Sequence, residues 1–149
     1  MCRTNLGGLN MTNKLLKELM DLPLTDFGNA LRLQAIFGKR WVYLPRFKCW
    51  MYRDQYNWKG KRTRDICYAV SAAFRHLAQD IDRLPMPRAE WEREERTDTI
   101  FWLMLSQRPT HVKNAVKMYR DMQMAEEAVR EEVLGKLGCV TFVWIVLIG

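Results

Sequence analysis

The sequence predicts a mostly helical α+β domain, with about five to six helices around a small two- or three-stranded antiparallel sheet. Two features carry that prediction. Over most of the chain, apolar residues recur at intervals of three and four, the spacing that lines one face of a helix. Between Trp41 and Trp58 this stripe gives way to a run of Trp, Tyr and Phe punctuated by turn residues, which is strand material. Composition sets the scale: 149 residues, 48% hydrophobic and 28% charged, suit one globular domain. A chain of that length buries roughly two-thirds of its unfolded surface and needs no disulfide or metal staple.

Residues 1–10 contain glycine and carry little pattern, and Met11 stands as an alternative start. Thr12 is placed to cap a short helix bearing Leu15, Leu16, Leu19 and Met20, which Pro23 stops. Thr25 then caps a second helix, with Asp26 at the positive end of its dipole. Ala30, Leu31, Leu33 and Ile36 are its apolar residues, and Gly38 ends it by taking the left-handed conformation cheaply. Short strands are expected near 41–44, 47–53 and 56–58, with turns at Pro45 and at Asp54-Gln55.

From Thr63 to Asp82, the positions Ile66, Val70, Ala73, Leu77 and Ile81 trace one face of a long amphipathic helix. Leu84-Pro85-Met86-Pro87 breaks it. The next helix runs from about Arg88 to Leu105, charged at first (Glu90, Glu92, Glu94, Glu95) and apolar later (Ile100, Phe101, Leu103, Met104, Leu105). Another spans about Pro109 to Met124, with proline tolerated in its first turn and a stripe of Val112, Val116 and Tyr119. Ala125 to Leu137 forms a further helix or continues that one. The last thirteen residues, Leu137–Gly149, carry no charge; they read as a strand, a tucked-in tail or the foreign end of a truncated or frame-shifted gene. A membrane-crossing helix needs about 20 apolar residues, so this stretch is too short to span alone. The chain thus divides into an N-terminal extension with a short helix (1–24), a central domain (25–124) and a helix with an apolar tail (125–149).

The formal net charge is +7, which favours a polyanionic partner over a cationic one. The charge is concentrated. Between Lys39 and Arg64 lie nine basic residues (Lys39, Arg40, Arg46, Lys48, Arg53, Lys59, Lys61, Arg62 and Arg64) and one acidic residue, Asp54. Interleaved with them are Trp41, Tyr43, Phe47, Trp50, Tyr52, Tyr56 and Trp58. Binders of single-stranded nucleic acid use this mixture: cations follow phosphates, and aromatic faces stack on bases at ~1–3 kcal/mol each. Aromatic residues on a small sheet equally form its core, and that is the favoured reading for most of these. For the basic residues contact with nucleic acid is favoured. The candidate interface is therefore the nine basic residues together with Trp50, Tyr56 and Trp58.

Other chemistry has little support. Gly135-Lys136-Leu137-Gly138 lacks the preceding glycine and the Ser or Thr of a phosphate-binding loop, and helix termination at Gly135 or Gly138 explains the glycines better. His76 and His111 read as core or solvated histidines rather than metal ligands. Asp80 and Asp82 point to different sides of a helix and form no dyad. The Glu90–Glu95 cluster reads as a solvated face. Cys2, Cys49, Cys67 and Cys139 contain no CxxC pair, and with no secretory signal they read as reduced cytoplasmic thiols. No catalytic residue, cofactor or metal site is expected.

One run of residues carries a resemblance. Thr25-Asp26-Phe27-Gly28-Asn29-Ala30-Leu31-Arg32-Leu33, then Gly38 through Pro45, then Trp50, Asp54 and Trp58, resembles the domain that precedes the helicase in poxvirus-type, phage and plasmid primase-helicases of helicase superfamily III. The stretch Ser106–Met122 is similar to its closing part, so the likeness covers about residues 24–124. Gln55 departs from the pattern, which has glycine after the aspartate. The resemblance implies a non-catalytic role in DNA replication, placing single-stranded or forked DNA or arranging helicase or primase subunits in the cytoplasm of a bacterial or phage-infected cell. An oligomer would form through a helicase part. No Walker motif follows here, so the chain is expected to be a fragment, a degenerate prophage product or a standalone protein reusing the domain. The competing expectation is a protein–protein interaction module that binds no nucleic acid.

Overall fold

The computed structural model describes residues 11–137, with side chains through Glu127. Within them the order is α1 (Asn13–Met20), α2 (Asp26–Phe37), β1 (Trp41–Leu44), β2 (Cys49–Arg53), β3 (Trp58–Lys61), α3 (Thr63–Asp82), α4 (Glu90–Leu105) and α5 (Pro109–Leu137). This is an α+β fold, mostly helical, with five helices and one three-stranded antiparallel sheet of order β1-β2-β3 among the described residues. The expectations for residues 1–10 and for the tail beyond Leu137 lie outside the described residues.

The helix starts follow local cap chemistry. Thr12 Oγ1 accepts from the Leu15 amide at 3.2 Å, and Thr25 Oγ1 accepts from the Gly28 amide at 3.0 Å. Gly38 closes α2 with φ at 56°, a conformation that favours glycine. At the third start the Asp65 carboxylate, three residues into α3, accepts from the Arg62 amide at 2.8 Å, and the Asp65 amide donates to the Arg62 carbonyl at 2.9 Å.

Several boundaries differ from expectation. β2 begins at Cys49 rather than 47, because the turn after β1 takes in Phe47 and Lys48, the latter with φ at 49°. β3 runs 58–61 rather than 56–58. Asp54 Oδ1 accepts from the Tyr56 and Asn57 amides at 3.2 and 3.1 Å, so a side chain completes the turn where a glycine was missing. α4 starts at Glu90, not Arg88. α5 is continuous through Gly135, which therefore does not end it.

The core gathers Leu16 and Leu19 of α1, Leu33 and Ile36 of α2, Trp41 and Trp50 of the sheet, Ile66, Val70, Phe74 and Leu77 of α3, Leu103 of α4, and Val112, Ala115 and Tyr119 of α5. Polar side chains then fasten the connections between helices. Arg32 is fully buried. It donates to the carbonyls of Leu19 (3.0 Å), Leu22 (2.7 Å) and Pro23 (2.9 Å). The Leu19 carbonyl lies in the last turn of α1 and the other two follow it, where helix geometry leaves acceptors unpaired and the dipole is negative, so a cation fits there. Arg96 does the same after α3, donating to the carbonyls of Asp82 and Pro85.

Asn29 joins α2 to α4. Its Nδ2 donates to Ser106 Oγ at 2.8 Å, and its Oδ1 accepts from Arg32 and from the Trp102 indole, each at 3.1 Å. Asp26 joins α2 to α5, with one oxygen 2.8 Å from His111 Nδ1 and the other accepting from Asn114 at 2.9 Å. Gly28 has no room for a side chain: a Cβ would sit 1.9 Å from the Pro23 oxygen. Asp26, Asn29 and Arg32 thus hold helices together, while Thr25 caps α2.

Candidate nucleic-acid interface

The register of the sheet decides which side chains face outward. Trp41 pairs with Tyr52, and Tyr43 with Trp50. Trp50 pairs in turn with Lys61, and Tyr52 with Lys59. Paired residues share a face, so Trp41, Tyr43, Trp50 and Tyr52 form the inner one. It lies on the helices: Trp50 stacks on Tyr119 of α5 with ring centres 5.8 Å apart and planes within 7°. Trp41 lies 6.1 Å from Phe37 of α2, and Gln123 of α5 bonds both the Trp41 carbonyl and the Tyr43 amide. The Arg120 guanidinium sits 5.5 Å over the Tyr43 ring.

Trp50, a candidate for base stacking, is therefore a core residue. Only 2% of its surface is exposed, and Tyr119 occupies its ring face. The other two aromatic candidates are accessible. Tyr56 is 87% exposed in the turn between β2 and β3. Trp58 is half-buried and pairs with Arg53, which puts it on the outer face. Phe47, not among the candidates, is 65% exposed in the β1–β2 turn. The strand expected from 47 would include it; its place two residues after Pro45 was the signal for a turn instead.

The nine basic residues fall into groups. Lys39 is exposed just after α2, and Arg46 and Lys48 are exposed in the β1–β2 turn. Arg53 is exposed at the end of β2, and its amide donates to the Arg40 carbonyl at 2.9 Å, which sets Arg40 beside it. Lys59 is exposed but bound to Asp54, Nζ to Oδ2 at 3.1 Å. That contact follows the two amides as a cause holding the Asp54 carboxyl below its ordinary range. Lys61 is half-buried on the edge strand.

Arg62 and Arg64 are both exposed at the start of α3. Cations at the positive end of a helix dipole are unfavourable by roughly 0.3–1 kcal/mol each, so helix formation does not account for them. A phosphate there would meet both the dipole and the guanidinium groups.

Elsewhere the groups with chemical potential are engaged or scattered. Among the described residues no three His, Cys, Asp or Glu side chains gather as metal ligands, and no buried side-chain nitrogen or oxygen lacks a hydrogen bond. Cys49 and Cys67 are free thiols, and burial pushes the Cys67 thiol up. No helix among the described residues is long and apolar enough to cross a membrane. Comparisons with protein-family models, curated proteins and solved structures returned no match.

Proposed function

We propose that this chain is a non-catalytic, DNA-replication-associated domain that contacts single-stranded or forked DNA through residues 39–64. The observation that carries the reading is the division of labour across the sheet. The inner aromatics are occupied by the core, while Lys39, Arg46, Lys48, Arg53, Arg62 and Arg64 are exposed, Arg53 on the outer face of the sheet. Such a cluster raises the local concentration of a polyanion and binds it in proportion to the phosphates neutralised. The resemblance of residues 24–124 to the domain preceding a superfamily III helicase supports the assignment to replication in a phage or prophage setting. It also supports contact with helicase or primase subunits. Reversing charge with Arg62→Glu and Arg64→Glu, which leaves the Asp65 contact to the Arg62 backbone in place, is expected to weaken binding of a single-stranded oligonucleotide at least tenfold without unfolding. Unchanged affinity in a folded variant counts against the reading.

A protein–protein interaction module is the second reading, and one observation favours it. Phe101 and Met104 lie one turn apart on α4 and are 68% and 60% exposed. Exposed apolar pairs of this kind are common anchors for partner proteins. An apolar interface would be insensitive to salt, which separates the two readings.

A further inference from the structure

The register lines the outer face of the sheet into cross-strand rows. At one end stand Arg40, Arg53 and Trp58, joined by the Arg53–Trp58 pair and by the Arg53 amide on the Arg40 carbonyl. Two residues along the strands come Val42, Met51 and Gly60. Leu44 and Cys49 follow, and the exposed Arg62 comes directly after Lys61 at that end of β3. The result is a small apolar floor with cations at both ends and one accessible indole. Its middle is open on the β3 side, because Gly60 is exposed and carries no side chain. A Cβ there would meet Met51 Sδ only at 4.0 Å, an ordinary contact, so packing does not require glycine at this position.

We infer that this outer face is a stacking platform for single-stranded DNA, with Trp58 against a base, Arg40 and Arg53 on the flanking phosphates, and the Gly60–Met51 gap admitting the next nucleotide. The inference rests on the DNA-contact reading above and narrows it to one surface and one form of DNA. Charge, stacking and width select an unpaired strand as the occupant, and the proposed role in replication makes it DNA. The cations at both ends complement a polyanion rather than an apolar protein segment. An indole face stacks on any unpaired base, whereas the bases of a duplex are already stacked on one another. Three strands about 4.8 Å apart make a floor roughly 10 Å wide, which suits one strand and not a duplex.

The experiment is an anisotropy titration of the full chain against fluorescein-labelled oligothymidine, oligouridine and a duplex of matched length. It compares the unaltered chain with Trp58→Ala and Gly60→Val, each checked for folding by circular dichroism. Gly60→Val fills the gap with a strand-favouring side chain, so the test survives if Trp58→Ala fails to fold. The platform predicts that each substitution weakens oligothymidine binding about tenfold or more while leaving the weaker duplex binding and the salt dependence unchanged. Salt-sensitive binding that neither substitution alters would overturn the platform and leave the charge-based reading standing. No binding by the unaltered chain at low salt would overturn both. Tighter binding of oligouridine than of oligothymidine would overturn the assignment to DNA. Self-association that the two substitutions abolish, with DNA binding intact, would give the face to a second copy and overturn the inference.

Discussion

Asn29 Nδ2 donates to Ser106 Oγ at 2.8 Å across 77 residues of chain, and both side chains are fully buried. The bond joins the Thr25–Leu33 run to the end of α4. With Trp102 and Arg32 both donating to Asn29 Oδ1, the carboxamide serves three partners at once. The run is therefore architectural: it fixes α1, α2, α4 and α5 to one another.

Asn29→Ala strips three groups of a buried partner. Ser106 Oγ still donates to the Trp102 carbonyl and Arg32 Nη1 to the Pro23 carbonyl, so the penalty falls chiefly on the Trp102 indole and a loss of about 1–3 kcal/mol is expected in urea unfolding. Gly28→Ala, which drives a Cβ into the Pro23 carbonyl, is expected to cost about 1–3 kcal/mol or more. An effect below 0.5 kcal/mol for both would show that the network does not hold the helices as described.

Lys48 separates stability from binding. Its φ of 49° is a left-handed conformation that costs an L-residue about 1–2 kcal/mol. Glycine relieves that strain but loses about 0.5–1 kcal/mol through its unfolded-state freedom. Lys48→Gly should be as stable as the parent chain, or up to about 1 kcal/mol more stable, and should bind a single-stranded oligonucleotide less tightly because a cation is gone. Parallel thermal unfolding and anisotropy measurements check both halves.

Trp50 and Trp58 should respond oppositely. Trp50→Ala opens a cavity under Tyr119 and is expected to cost about 3–5 kcal/mol of stability. Trp58→Ala, on the half-exposed outer face, should cost far less stability and more affinity. Chemical denaturation of both variants, with the oligonucleotide titration on whichever remains folded, reads the contrast.

Burial pushes the Tyr119 phenol up to about 12. Its folded-state value lies above the unfolded one, so the stability it contributes is fully present below about pH 10 and is lost as pH rises toward 12. Arg32, which burial lowers to about 10, works in the opposite sense over the same range. A difference measurement isolates the tyrosine: Tyr119→Phe should match the parent chain near neutrality and lose less stability than it between pH 10 and 12. Identical pH profiles would contradict the assigned burial of the phenol.

Much of the fold was legible because its signals are local. Thr12, Thr25 and Gly38 announce helix ends through chemistry confined to one turn of chain, and the stripe from Ile66 to Ile81 needs no partner to be read. The strand boundaries were less legible. A left-handed Lys48 and a turn closed by the Asp54 side chain add turn residues that strand propensity does not see. Least legible was the burial of Arg32 and Arg96, because arginine is mostly exposed in folded proteins. Their burial depends on carbonyls at the ends of α1 and α3, a juxtaposition that exists only once the helices pack. The candidate interface was legible as composition but not as geometry. Which aromatic residues face the helices follows from the hairpin register, and that register puts Trp50 in the core and Trp58 outside.

The central claim is that the exposed cations of residues 39–64 contact DNA phosphates, and the salt dependence of single-strand binding by the unaltered chain tests it most directly. Neutralising about four phosphates of a single strand gives a slope of roughly −3 in log affinity against log salt. A slope of that size, with binding evident at low salt and weakened at physiological salt, is the predicted result. No binding at low salt, or binding indifferent to salt, would contradict the claim and leave the exposed Phe101 and Met104 of α4 as the better guide to function.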